Sequence, residues 1–115
     1  KKTLQLSLDL CTMAWNGYPV MALPGSELYK RAKEAGEKLP ENYEEYSFHG
    51  YHTSPLPTKE LEPNQILAFR DNAFTTYHNY PRFIEKVRNR FGDIAVNNIK
   101  DMLTVTLSRK LVQEV

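Results

Sequence analysis

The sequence predicts a mainly helical fold with one or two short strands, an α+β chain. Three observations lead there. Apolar residues recur at helical spacing in five separate stretches. Pro and Gly punctuate the chain between those stretches. Only Gly17–Leu23 and Ser47–Thr53 carry the short or alternating pattern of a strand.

Leu4, Leu8 and Cys11 share one helical face, with Leu6 and Leu10 on a second row, so a helix is expected over Thr3–Met13. Apolar character on more than one side implies cover on more than one side. Gly17–Leu23 is too short for a helix and reads as a buried strand, with Pro19 demoting it to an edge or irregular one. Pro24-Gly25-Ser26 is a turn, with Ser26 as N-cap. The helix from Glu27 to Ala35 is stopped by Gly36.

Residues 37–62 form an irregular connection rich in Tyr, Phe and Pro, with a short strand expected at Ser47–Thr53. A loop of that length packs on something or lines something. Pro63 then opens the longest helix, to about Asn79. Pro81 opens another, with Phe83, Ile84, Val87 and Phe91 on one face, which Gly92 ends. Asp93 caps a last helix in which Ile99, Leu103, Leu107 and Leu111 repeat every four residues. The organisation expected is 1–36, helix–strand–helix; 37–62, connecting loop; and 63–115, three helices able to pack as a small bundle.

Composition excludes several functions. The chain has 115 residues, 15 basic and 14 acidic, for a net charge of +1. That balance gives no global reason to bind nucleic acid. No apolar run approaches the roughly 20 residues of a membrane span. Together with the absence of a signal peptide pattern, this points to the cytoplasm. A single cysteine makes neither an internal disulfide nor a multi-cysteine zinc site. The chain begins at Lys1 inside an apolar-periodic segment, which predicts a piece excised from a longer protein.

Candidate chemistry is sparse. His49 and His52 lie three apart, and on a strand such positions face opposite sides, so no metal site is expected from them or from His78. Cys11, on an apolar helix face, reads as core. Lys86, Arg88 and Arg90 beside Phe83 and Phe91 read as a solvated helix face, diluted by Glu85 and Asp93. The acidic residues from Glu27 to Glu45 include no pair placed for acid–base work. Pro24-Gly25-Ser26, a strand running into a helix start, leaves free N–H groups where ligands bind in α/β barrels.

Two stretches resemble a known family. Tyr18-Pro-Val-Met-Ala-Leu-Pro-Gly-Ser-Glu-Leu-Tyr29 is similar to the last barrel strand and helix of radical S-adenosylmethionine enzymes. Tyr43-Glu-Glu-Tyr-Ser-Phe-His-Gly-Tyr-His-Thr-Ser-Pro-Leu-Pro-Thr58, with Ile66-Leu-Ala-Phe-Arg-Asp-Asn-Ala-Phe74 and Tyr77-His78, resembles the C-terminal region of the cobalamin-binding group. That group includes the Fe–S oxidoreductases likened to the anaerobic Mg-protoporphyrin IX monomethyl ester cyclase.

The resemblance covers essentially the whole chain, and residues 43–78 are its more specific part. It implies the C-terminal end of a partial (β/α) barrel plus a helical extension. It also implies a parent oxidoreductase using a 4Fe–4S cluster and S-adenosylmethionine, with cobalamin where that group is followed. The cluster motif Cys-x3-Cys-x2-Cys is absent, so the chain alone is expected to be inactive and to bind none of these cofactors. Pro24, Gly25 and Ser26 are the candidates for cofactor contact. Tyr46, Phe48 and Tyr51 are candidates for lining the substrate site, from a loop capping the barrel mouth. The partner implied is the rest of the parent polypeptide, with self-association through the exposed barrel edge. The alternative is a free-standing α-rich interaction module without catalysis.

Overall fold

The computed structural model describes residues 1–115. Five α-helices follow one another: α1 (Lys2–Leu10), α2 (Glu27–Glu34), α3 (Pro63–His78), α4 (Pro81–Leu103) and α5 (Lys110–Gln113). A 3₁₀ turn occupies Tyr43–Tyr46. The helical class is as the sequence predicts, and neither expected strand forms. No helix is long and apolar enough to cross a membrane.

The missing strands have local causes. Residues 17–23 carry no regular element, with Pro19, Met21 and Ala22 buried and Tyr18 and Val20 exposed. One backbone bond, from Leu56 N to Val20 O at 3.0 Å, joins this segment to the residues after the loop. Proline at 19 donates nothing to a ladder, and Pro24 prevents its extension. Ser47–Thr53 fails differently. The Thr53 hydroxyl turns back onto the carbonyls of Ser47 and Gly50, and Thr53 N bonds Gly50 O. The segment is therefore a knot of bends. With no strand, this chain holds no barrel strand of its own.

The helices mostly follow their sequence signals. Ser26 caps α2 by accepting from Tyr29 N at 3.1 Å, and Gly36 ends it with φ 74. Helix α1 stops at Leu10, short of Met13, because Cys11 turns left-handed at φ 47. Gly92 breaks α4 with φ 82 and ψ 179, a conformation open essentially to glycine alone. The last helix ends at Leu103 rather than running on to Leu111. Thr104 caps it with a hydroxyl bond to Asp101 O, and α5 forms separately. The β-branched run Thr104-Val105-Thr106 lowers helix propensity there, and Leu107 and Leu111 follow outside that helix.

The chain divides into two compact units. One comprises Lys1–Gly17 and Asp71–Thr106, the other Tyr18–Arg70 and Leu107–Val115. In the first, Cys11, Tyr77, Phe83, Val87 and Val96 make the core, with Leu4, Leu8, Trp15, Tyr80, Ile84 and Ile99 packed on it.

Helix α1 has no basic residue in its last turn. The cations come instead from α4. Arg82 donates to Asp9 O at 2.9 Å and Lys86 to Cys11 O at 2.6 Å. The Tyr77 hydroxyl donates to Thr12 O at 2.6 Å. These donors satisfy carbonyls at and just beyond the helix C-terminus, where positive charge is favoured.

The second unit buries Met21, Ala22, Ala32 and Leu67. It also buries three polar side chains, Thr53, Arg70 and Arg109. Buried polar groups need partners, and the partners of these define the site described next.

Candidate functional site

The residues 46–54 are held by two arginines that arrive from far along the chain. Arg109, 2% exposed, donates from Nη1 to Gly50 O at 3.1 Å and to Thr53 Oγ1 at 3.0 Å. Lys110 N adds a backbone bond to Tyr51 O at 2.9 Å. Arg70, from α3, places Nη2 at 3.3 Å from His49 Nε2. Ser54 N bonds Glu45 O at 2.9 Å and ties the knot to the 3₁₀ turn. Charge-assisted bonds from buried guanidinium groups are among the stronger contacts available to a loop, so this one is fixed in shape.

An aromatic edge accompanies the knot. Tyr18 lies 4.7 Å from Phe48 between ring centroids and 6.4 Å from His49, edge-on. Tyr51 stands 4.9 Å from His52, also edge-on. Of the substrate-lining candidates, Phe48 is half-buried against Tyr18 and Tyr51 is exposed. Tyr46 is half-buried and its hydroxyl donates to Pro40 O at 3.3 Å. Burial pushes the Tyr46 phenol above its ordinary value, helped by the neighbouring Tyr29 and Glu45.

His49 and His52 go to different partners. His52 borders a cavity of about 180 Å³ with Lys38, Glu45, Ser54, Lys110 and Glu114. The Glu45 carboxylate there is engaged, accepting from Asn42 N at 2.8 Å and Glu41 N at 2.9 Å. The bond from Asn42 holds its pKa below the usual carboxylate value, against a smaller opposing effect of burial. Lys110 pairs with Glu114 at 3.8 Å. Most of the charge facing this cavity is thus already matched within the protein.

Pro24 and Gly25 are exposed, and Gly25 has φ 86. The Ser26 hydroxyl serves the α2 cap. In the first unit, His78 is buried and its Nδ1 bonds Phe74 O at 2.8 Å, with Phe74, Tyr77 and Phe83 around its ring. Burial lowers its pKa, and the carbonyl bond opposes that in part. Cys11 is fully buried in the apolar core. No three His, Cys, Asp or Glu side chains converge as a metal-ligand set. With a single cysteine, this chain does not itself supply the three thiolates that a 4Fe–4S cluster of the motif described above needs. Lys86 and Arg88 are exposed, and each has a partner in the protein, Cys11 O and Asp93 respectively.

Sequence reading singled out the aromatic loop and missed what holds it. Arg70 sits in an amphipathic helix pattern and Arg109 in a C-terminal run, and nothing local marks either for burial. The one available signal is Thr53, a hydroxyl beside a Gly-containing bend. The chain matches no family model, no curated protein and no solved structure.

Proposed function

We propose that this chain is the C-terminal part of a radical S-adenosylmethionine Fe–S enzyme of the oxidoreductase or cyclase-like kind, and a structural and substrate-facing part of it. The reading rests on the resemblance of residues 43–78. One observation supports treating that stretch as a functional unit: its two halves, Tyr43–Thr58 and Ile66–Phe74, meet at the His49–Arg70 contact. In this reading the knot, with Phe48 and Tyr51 on it, covers the substrate end of the parent's barrel. Residues 17–23, with Val20 62% exposed and Leu23 44% exposed, would take up strand pairing there. Pro24 and Gly25 would lie beside the cofactor.

The parent's cofactors would carry the radical chemistry, through reductive cleavage of S-adenosylmethionine. What this chain's residues would do is bind, orient and exclude water. Alone it performs no such reaction, since the cluster ligands lie elsewhere.

The test is to read the gene upstream of the Lys1 codon. An open frame continuing through Cys-x3-Cys-x2-Cys is expected. Anaerobic reconstitution of the whole protein should then give a 4Fe–4S spectrum and release 5′-deoxyadenosine from S-adenosylmethionine. A start codon directly before Lys1 would refute the proposal and leave the interaction module in its place. Within the whole enzyme, Phe48→Ala and Tyr46→Phe should change turnover and leave cluster content intact.

A further inference from the structure

We infer that Arg70 is a positioning residue that fixes His49 as its Nδ1–H tautomer, so that the knot presents an imidazole N–H donor to an oxygen acceptor. A guanidinium has only donors, and cannot lose a proton in a protein. Its Nη2 stands 3.3 Å from His49 Nε2. A hydrogen bond there requires Nε2 to accept, and a neutral imidazole that accepts at Nε2 carries its proton on Nδ1.

The two partners are unequal in a way that suits the role. Arg70 is 6% exposed and anchored in α3, whereas His49 is exposed on the knot. The Tyr18 ring, edge-on to His49 and packed on Phe48, restricts ring rotation. The ring is therefore held on two sides, and its open polar atom is Nδ1. A fixed N–H donor beside exposed aromatic surface recognises the oxygen of a carbonyl or carboxylate on an aromatic or apolar compound. This assignment of a substrate-facing role rests on the radical S-adenosylmethionine reading; the tautomer does not.

The experiment has two arms. The first is a long-range proton–nitrogen spectrum of the ¹⁵N-labelled chain near neutral to mildly alkaline pH. His49 should show a protonated Nδ1 and an unprotonated Nε2. His78 should show the same pattern for a different reason, its Nδ1 bond to Phe74 O, and so provides an internal reference. Arg70→Met should make the two His49 nitrogen signals converge or exchange places, with His78 unmoved, and Arg70→Lys should retain part of the wild-type pattern. A wild-type His49 protonated on Nε2 would overturn the inference before any variant is made, so a misfolded Arg70→Met does not shield it. An unmoved His49 in a folded Arg70→Met would overturn it equally.

The second arm uses the full-length enzyme. Asn at 49 places its amide N–H near the Nδ1 position, and Gln places its amide near Nε2. His49→Asn should retain several-fold more turnover than His49→Gln, with cluster content equal. Equal or reversed activities would remove the donor role. A full-length protein that takes up no cluster would sink the family reading instead, and the spectrum of the first arm would still decide the tautomer.

Discussion

Replacing Thr53 by Val removes one hydroxyl from a fully buried position with little change of shape. That hydroxyl accepts from Arg109 Nη1 at 3.0 Å. Its single proton goes to Ser47 O or to Gly50 O. Losing a bond to a charged donor costs about 1.5–3 kcal/mol, and losing a neutral one about 0.5–1.5 kcal/mol. Against this, the added apolar group in a buried site returns about 0.8 kcal/mol. Arg109 keeps Gly50 O, so its guanidinium is not stranded. The net expectation is a loss of about 1–4 kcal/mol, a large share of the roughly 5–15 kcal/mol of a typical domain.

The assay is urea unfolding followed by far-UV circular dichroism, read as a lower midpoint at unchanged slope. Thr53→Ser keeps the hydroxyl and should lose less than half as much. A Thr53→Val loss within about 0.5 kcal/mol, the range of an ordinary surface change, would refute the idea that the hydroxyl holds the knot. Equal losses for Val and Ser would place the energy in the methyl group instead.

Other outcomes follow from the first unit and can be checked in the same preparations. Tyr77→Phe deletes the hydroxyl that caps Thr12 O and should cost about 1 kcal/mol in urea unfolding, with the aromatic core intact. Gly92→Ala forces a Cβ into the φ 82 conformation and should cost about 1–3 kcal/mol, although nothing lies near the added atom. The buried His78 has its folded pKa below the unfolded value near 6.5, so the unfolded chain takes up the proton first. Stability should therefore be full above pH 6.5 and fall as the pH drops below it, until the folded pKa is passed. Melting temperatures at several pH values should show this slope, and His78→Gln should flatten it. Cys11, fully buried, should react with a thiol reagent only as fast as the chain opens, and promptly in urea.

The helices were legible because their signals are local. Ser26 and Gly36 bound α2, Pro63 opens α3, and Gly92 interrupts α4, each for a reason contained within a few residues. The strands were misread because a short apolar run carries no information about its partners. Val20 receives one bond from Leu56 N, and whether a second strand could join it is a property of other segments. The same distinction applies to the site. Phe48, His49 and Tyr51 were visible as an aromatic cluster with histidines. The reason they hold a fixed arrangement lies in Arg70 and Arg109, whose burial depends on contacts 21 and 56 to 59 residues away in sequence.

A charged side chain in a helix pattern is ordinarily solvated, so the arginines gave no warning. Burying a guanidinium is costly unless its donors are met. The knot meets two Arg109 contacts with the Gly50 carbonyl and the Thr53 hydroxyl, and meets one donor of Arg70 with an imidazole nitrogen. Carbonyls are placed by the backbone and would satisfy an arginine whatever the side chains around them. The imidazole is different, because its acceptor atom exists in only one of two neutral tautomers. Anchoring a buried arginine on His49 thus costs the histidine its freedom to carry the proton at Nε2. That constraint reaches the surface, at Nδ1, and is where packing in this unit becomes chemistry.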